Sequence, residues 1–273
     1  MQANRAWTAP TGPLGRLSAT AAGRAAALEP RAAELRDLAA DTPPGPRFDE
    51  SIRRADVAVI AEVKRRSPSK GDINLSIDAA TQATAYARGG AAALSILTEP
   101  TEFGGSVHDL RDAQRATSLP TLKKDFHVHP IQLLEARAAG ASAVLLIARA
   151  LPSDRLRELA ERSFELGVEV LVEVRSEAEL EDAVAIDSAV IGVNSRDLET
   201  LIIDPAVTAR LIAQIPGDRL AIAESGVSAR ADVERVAGLG ADAVLVGSTV
   251  SASADPASAV AALTGVERRR RAR

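Results

Sequence analysis

There is no cysteine in the 273 residues. Disulfides, thiolate-held zinc, iron–sulfur clusters and thiol nucleophiles are thereby excluded, and any chemistry must use oxygen and nitrogen groups. Aromatic side chains are nearly as scarce, with one Trp, one Tyr and four Phe. The core must therefore be built from Ala, Val, Leu and Ile, and a ring in a special position carries weight. No stretch approaches the ~18 consecutive apolar residues of a membrane span. The N-terminal region also lacks a basic segment followed by an apolar one. The expectation is a cytoplasmic protein with no membrane partner. A net charge of −4 offers no global attraction to a polyanion, so nucleic acid is not an expected ligand.

What is present is 46% hydrophobic and 26% charged residues, the composition of a soluble globular protein rather than a collagenous or disordered one. The length could hold two domains, but one α/β barrel of ~250 residues also accounts for it. Residues 1–15 are rich in Pro, Gly, Ala and Thr and read as a mobile start, with Leu14 and Leu17 placed to dock. A helical stretch from Ala19 to Ala40, interrupted at Pro30, ends before Thr42-Pro43-Pro44-Gly45-Pro46.

From there short apolar runs alternate with longer segments of helical spacing. The expected strands are Val57–Val63, Ala91–Leu97, Thr121–Asp125, Ala143–Ala148, Glu169–Val174, Val190–Asn194, Leu220–Glu224 and Ala243–Val246. Three are introduced by similar phrases, Gly89-Gly90-Ala91, Gly140-Ala141-Ser142-Ala143 and Gly240-Ala241-Asp242-Ala243, in which Gly ends the preceding helix. Eight βα units predict an α/β fold, a (β/α)8 TIM barrel with an N-terminal helical extension. The divisions are an extension over 1–46, a barrel over 47–265 and a basic tail over 266–273. A doubly wound sheet would want a glycine-rich turn after its first strand, where Lys64-Arg65-Arg66-Ser67-Pro68-Ser69 stands instead. The terminal segments are too short to hold a fused second enzyme.

In a barrel the active site lies at the C-terminal ends of the strands. Those ends carry Glu62 and Lys64, Lys124, Glu173, Asn194 and Arg196, Glu224 and Ser225, and Gly247 and Ser248. Alternation along a strand puts Glu62 and Lys64 on one face, and if Ile60 packs inward they point into the mouth. Such groups suit proton transfer if partial burial and neighbouring charge move Lys down and Glu up toward neutrality. Isolated ion pairs would explain one such residue; five strand ends together favour a site. The turns Glu224-Ser225-Gly226 and Val246-Gly247-Ser248 could cradle a phosphate through backbone N–H groups. His127 and His129 would point oppositely in an extended loop and are read as solvent-exposed, with no metal expected. The run Glu267–Arg273 reads as a solvated tail.

The block Ile60-Ala61-Glu62-Val63-Lys64-Arg65-Arg66-Ser67-Pro68-Ser69 resembles the first-strand signature of the indole-3-glycerol phosphate synthase family. Further blocks of that family follow in order: Leu97-Thr98-Glu99 with Phe103-Gly104-Gly105-Ser106, Leu122-Lys123-Lys124-Asp125-Phe126, Leu171-Val172-Glu173-Val174, Ile191 to Leu198, and Ala223-Glu224-Ser225-Gly226. The likeness runs from about residue 17 to 263.

The resemblance implies conversion of 1-(2-carboxyphenylamino)-1-deoxyribulose 5-phosphate to indole-3-glycerol phosphate in tryptophan synthesis, without a cofactor. It implies Lys124 as general acid, Lys64 on the departing carboxylate, Glu173 in the dehydration, and Glu62 orienting both lysines. Asn194 and Glu224 would position substrate. Ser67, Ser225, Gly226, Gly247 and Ser248 fall on the phosphate side and Arg196 on the carboxylate or ring side. Pro68, Phe103, Phe126, Leu145, Leu198 and Leu245 would wall the anthranilate ring. The partner implied is this phosphorylated small molecule, acted on by a monomer or weak oligomer.

Thr249-Val250-Ser251-Ala252 departs from the more apolar stretch expected after Gly247-Ser248. Phosphoribosylanthranilate isomerase, a related barrel, would call for a catalytic Cys, which is absent. A specialised-pathway paralogue and a non-catalytic barrel are the remaining alternatives; the second would require the charged mouth to be eroded.

Overall fold

In the computed structural model, which describes residues 7–271, eight parallel strands close into a barrel. They are β1 (Ala58–Val63), β2 (Ala93–Leu97), β3 (Thr121–Lys124), β4 (Ala143–Ile147), β5 (Glu169–Val174), β6 (Val190–Asn194), β7 (Ala221–Glu224) and β8 (Ala243–Val246). Each pairs with its neighbours in sequence, and β1 closes on β8 with Ile60 opposite Leu245. Arg66–Ser67 and Gly71–Asp72 form a small antiparallel hairpin in the loop after β1.

Among the described residues three α-helices precede β1: α1 (Gly12–Leu28), α2 (Ala32–Asp41) and α3 (Phe48–Ile52). The barrel is wrapped by α4 (Ala79–Arg88), α5 (Val107–Ala116), α6 (Pro130–Ala138), α7 (Ser153–Glu165), α8 (Glu177–Val184), α9 (Pro205–Ile212) and α10 (Arg230–Leu239), with α11 (Ser248–Ser251) and α12 (Pro256–Ala261) after β8. Gly90, Gly140 and Gly240 all have positive φ, so the three repeated phrases do end their helices in the left-handed conformation that glycine adopts without a Cβ penalty.

The strands are buried on both faces, as a sheet covered by helices outside and filled by side chains inside requires. A strand rather than a helix suits these segments because they are short, β-branched and uninterrupted. Expected and observed strand limits differ by no more than two residues at any end.

Three expectations are corrected. The first helix starts at Gly12, not near Ala19, because Leu14, Ser18, Ala21 and Ala25 form a buried stripe at helical spacing. The N-terminal segment is also tied down before that helix, where Trp7 Nε1 donates to the Ala150 carbonyl at 3.1 Å. The expected mobile start overlaps residues 1–6, which lie outside the described residues.

The tail is docked rather than solvated as far as Arg271. Arg268 and Arg271 reach the buried Asp242 carboxylate at 2.7 and 2.8 Å, and Val57 N donates to Val266 O at 2.8 Å. A buried carboxylate needs such partners, and the basic run supplies them beneath the barrel.

Of the two loop histidines only His129 keeps a largely exposed side chain. His127 is buried, its Nδ1–H donating to the Leu145 carbonyl at 2.8 Å, and burial together with nearby Lys123 pushes its pKa down to about 3. His129 caps α6, its ring accepting from Ile131 N at 3.3 Å. Among the described residues, no three His, Asp or Glu side chains converge in a way that could hold a metal ion.

Candidate active site

The C-terminal ends of the strands surround a cavity of about 480 Å³. The pleat explains which side chains reach it. Ile60 packs inside β1, so Glu62 and then Lys64 follow on the same face and enter the mouth. On β3 the same alternation separates two adjacent lysines. Lys124 faces the cavity, whereas Lys123 turns outward to meet Glu135 at 2.8 Å.

All the residues expected at the site line this cavity. Glu62, Lys64, Lys124, Glu173, Asn194 and Glu224 form its charged and polar floor. Phe103, Phe126, Pro68, Leu145, Leu198 and Leu245 supply apolar wall, the two rings lying 6.4 Å apart at 41°. Ser67, Arg196, Ser225, Gly226, Gly247 and Ser248 stand at its margin.

The floor is a linked set of charges. Lys64 Nζ lies 2.9 Å from Glu62 Oε1, and Ser95 Oγ donates to Glu62 Oε2 at 3.2 Å. Lys124 Nζ sits between Glu173 and Glu224, 3.5 Å from an oxygen of each. Gly192, opposite Glu173 in register, has no side chain, and the Glu224 carboxylate fills that space. Gly247 likewise leaves room for the Glu62–Lys64 pair.

Electrostatics divide these groups. Burial opposes the Lys124 ammonium, but Glu224, Glu173 and Glu62 outweigh it and hold its pKa above the ordinary lysine value. The expected downward shift of lysine is therefore reversed at Lys124, since its neighbours are carboxylates rather than cations. Burial raises Glu62 too, yet Lys64 and Lys124 keep it below its usual range. Glu224 goes the other way. Burial, aided by Glu173 and Glu62, pushes it up to about 8 against the pull of Lys124. The floor thus offers a charged ammonium donor, an ionised carboxylate and a carboxyl group poised to hold a proton.

At the margin, Asn194 Oδ1 accepts from Arg196 N at 3.0 Å, and Arg196 donates to Leu201 O at 2.9 Å. Burial without a carboxylate partner lowers the Arg196 pKa. Ser225 and Gly226 both have positive φ, an unusual state for a serine. Ser67 Oγ and Glu224 Oε1 are buried and without a hydrogen-bond partner among the described residues.

Several lining residues were not singled out from sequence. Arg16 on α1 and Ser69 and Lys70 in the β1 loop reach the cavity edge. Leu14 and Leu17, expected to dock, also face it. The helical spacing of the α1 residues was one available signal, and Ser69 closes the block Lys64–Ser69, while Lys70 had none.

Comparison with known proteins places this geometry. The family model described as indole-3-glycerol phosphate synthase matches residues 17–263. The indole-3-glycerol phosphate synthase of a Nocardioides species is 49% identical over 235 residues, 86% of this chain and 90% of that protein. The one from Mycolicibacterium smegmatis is 46% identical over 230 residues, 84% of this chain and 85% of that protein. Among solved structures, a mutant tryptophan synthase alpha-subunit from Pyrococcus furiosus superposes with a TM-score of 0.59 at 16% identity, covering 77% of this chain and 98% of that one. That likeness concerns the fold alone. On the family match and the full-length relatives, the chain belongs to the indole-3-glycerol phosphate synthase family.

Proposed function

We propose that the chain closes the indole ring of 1-(2-carboxyphenylamino)-1-deoxyribulose 5-phosphate, releasing carbon dioxide and water, as a carboxy-lyase of tryptophan synthesis. The observation that carries the reading is Lys124 at the floor of an apolar-walled cavity, its ammonium flanked by the carboxyl groups of Glu173 and Glu224 at 3.5 Å. An ammonium there gives its proton to the substrate carbonyl oxygen as the ring carbon bearing the carboxylate attacks. Negative charge develops on that oxygen only in the transition state, so the donor acts on rate rather than on ground-state binding.

Lys64 holds the substrate carboxylate until the carbon–carbon bond breaks and carbon dioxide leaves. Glu62 orients Lys64 through their 2.9 Å pair. In the second half the new hydroxyl takes a proton from Lys64 and departs as water, while Glu173 takes a proton from the adjacent carbon, whose C–H electrons complete the indole double bond. Asn194 and Glu224 position the chain of the substrate. Ser67, Ser225, Gly226, Gly247 and Ser248 receive the phosphate, Arg196 lies on the carboxylate or ring side, and the six apolar residues hold the ring. These steps need no cofactor or metal. The enzyme is read as a monomer or weak oligomer working in the cytoplasm.

The test is an ultraviolet assay for indole formation from the carboxyphenylamino substrate, with inorganic phosphate as a competing anion. Turnover that survives exhaustive chelation and is competitively slowed by phosphate is the expected result. Absence of indole from folded protein would overturn the reading.

A further inference from the structure

The stretch Thr249-Val250-Ser251-Ala252 places a fully buried hydroxyl behind the Glu62–Lys64 pair. Ser251 Oγ donates to the Glu62 carbonyl at 2.8 Å and accepts from Lys64 N at 3.1 Å. Tyr86 OH, also buried, stands 3.1 Å from both the Glu62 carbonyl and Ser251 Oγ. The proton count is consistent. Ser251 spends its one proton on the carbonyl, and Tyr86 directs its own at the two oxygens beside it.

This is the place where the barrel ladder runs out. The register between β1 and β8 ends with Ala61 opposite Val246, after which the chain turns at Gly247 into α11. The Lys64 amide finds a side chain instead of a strand, and that side chain belongs to the short helix that begins at Ser248. Ser251 N donates back to the Gly247 carbonyl at 2.9 Å. One hydroxyl therefore ties the backbone of Glu62 and Lys64 to the Gly247-Ser248 turn.

We propose that Ser251 is a positioning residue, steadied by Tyr86, which sets the place of the Glu62–Lys64 pair relative to the turn at Gly247-Ser248. The inference rests on the catalytic reading above. It adds a residue that touches no substrate: neither Ser251 nor Tyr86 lines the cavity. Removing the hydroxyl leaves the Lys64 amide without its acceptor and lets the end of β1 shift, and a small displacement of a reacting group costs rate more than binding.

The experiment compares the full chain with Ser251→Ala, Ser251→Thr and Tyr86→Phe, measuring kcat and KM together with thermal midpoints. Ser251→Ala should lower kcat roughly five- to tenfold, the rate equivalent of one hydrogen bond, with KM changed less than about twofold. Ser251→Thr, which keeps the hydroxyl, should recover most of the rate. Tyr86→Phe keeps the ring packing and should show a smaller fall in kcat alone, which decides the matter if the added methyl of threonine is not accommodated.

A folded Ser251→Ala protein with wild-type kcat, or one whose defect is confined to KM, overturns the proposal. Loss of rate in Ser251→Ala that follows its fraction unfolded, with Tyr86→Phe unaffected, also overturns it. A wild-type chain that forms no indole would instead overturn the catalytic reading.

Discussion

Lys124 Nζ lies 3.5 Å from Glu224 Oε2, while the other oxygen of that carboxylate is buried with no hydrogen-bond partner among the described residues. One oxygen is compensated by an ammonium and the other by nothing, which is why burial prevails and the Glu224 pKa rises to about 8. A group with a raised folded pKa contributes stability that is full below its unfolded value and is lost as pH climbs through the folded one. Wild-type protein should lose this contribution between about pH 4.5 and pH 8. Glu224→Gln cannot ionise and should gain in melting temperature relative to wild type on going from pH 5.5 to pH 8.5. An unchanged difference at the two pH values would show that Glu224 is already ionised in the acid range.

Lys124 carries the acid role, so rate and affinity should separate on its removal. Lys124→Met should lower kcat by about 10²–10⁴-fold with modest change in KM, because the phosphate and ring contacts remain. Glu173→Gln keeps the shape but loses basicity, and single turnovers should then show decarboxylation outrunning indole formation. Near-normal kcat with much weaker binding in Lys124→Met would make Lys124 a binding group and pass the acid role to Lys64.

The strands were legible as short, uninterrupted apolar runs such as Val190–Asn194 set between longer segments of helical spacing, and the mouth-facing residues because charged and polar groups cluster where those runs end. Lys124 could be told from Lys123 only as the residue nearer the strand end; the structure supplies the reason, an alternation that sends Lys123 to Glu135. His127 was misread because the carbonyl that accepts from it, on Leu145, is 18 residues away and comes alongside only when β3 and β4 pair. Arg271 was misread for the same reason, since Asp242 is 29 residues away. Local composition reports solvation correctly only where no distant charge needs an answer.

Gly192 should tolerate no side chain. A methyl group there would overlap Glu224 Oε1 and come within 3.1 Å of Leu171 Cδ1, in a barrel interior with little room to yield. Gly192→Ala should drive the Glu224 carboxylate off its position beside Lys124 and depress kcat by at least about tenfold, given how steeply rate depends on placement. The backbone at Gly192 does not have positive φ, so the substitution brings no backbone strain of its own. Full activity in Gly192→Ala would mean that the placement of Glu224 is not needed for turnover.

Arg24 on α1 grips Asp125 through two hydrogen bonds of 2.7 and 3.0 Å, directly beside Lys124 in the chain. The Asp125 carboxylate is buried, and although burial disfavours its charge, Arg24 and Lys123 hold its pKa well below the ordinary aspartate value. Removing one partner of a buried pair costs about 3–5 kcal/mol when the other is left uncompensated. Here Asp125 keeps Thr98 Oγ at 2.7 Å and Phe126 N at 2.8 Å, and Arg24 is itself partly exposed. Arg24→Met should therefore fall at or below the low end of that range in denaturant melts. The larger consequence is functional, because α1 carries Leu14, Arg16 and Leu17 to the cavity edge. With its clamp released the helix should lift, exposing the apolar wall and raising KM several-fold while kcat at saturation changes less. Asp125→Asn in the Arg24→Met background removes the stranded charge and should restore stability without restoring KM. If KM stays normal in both variants, α1 is a stabilising strut and takes no part in holding the substrate.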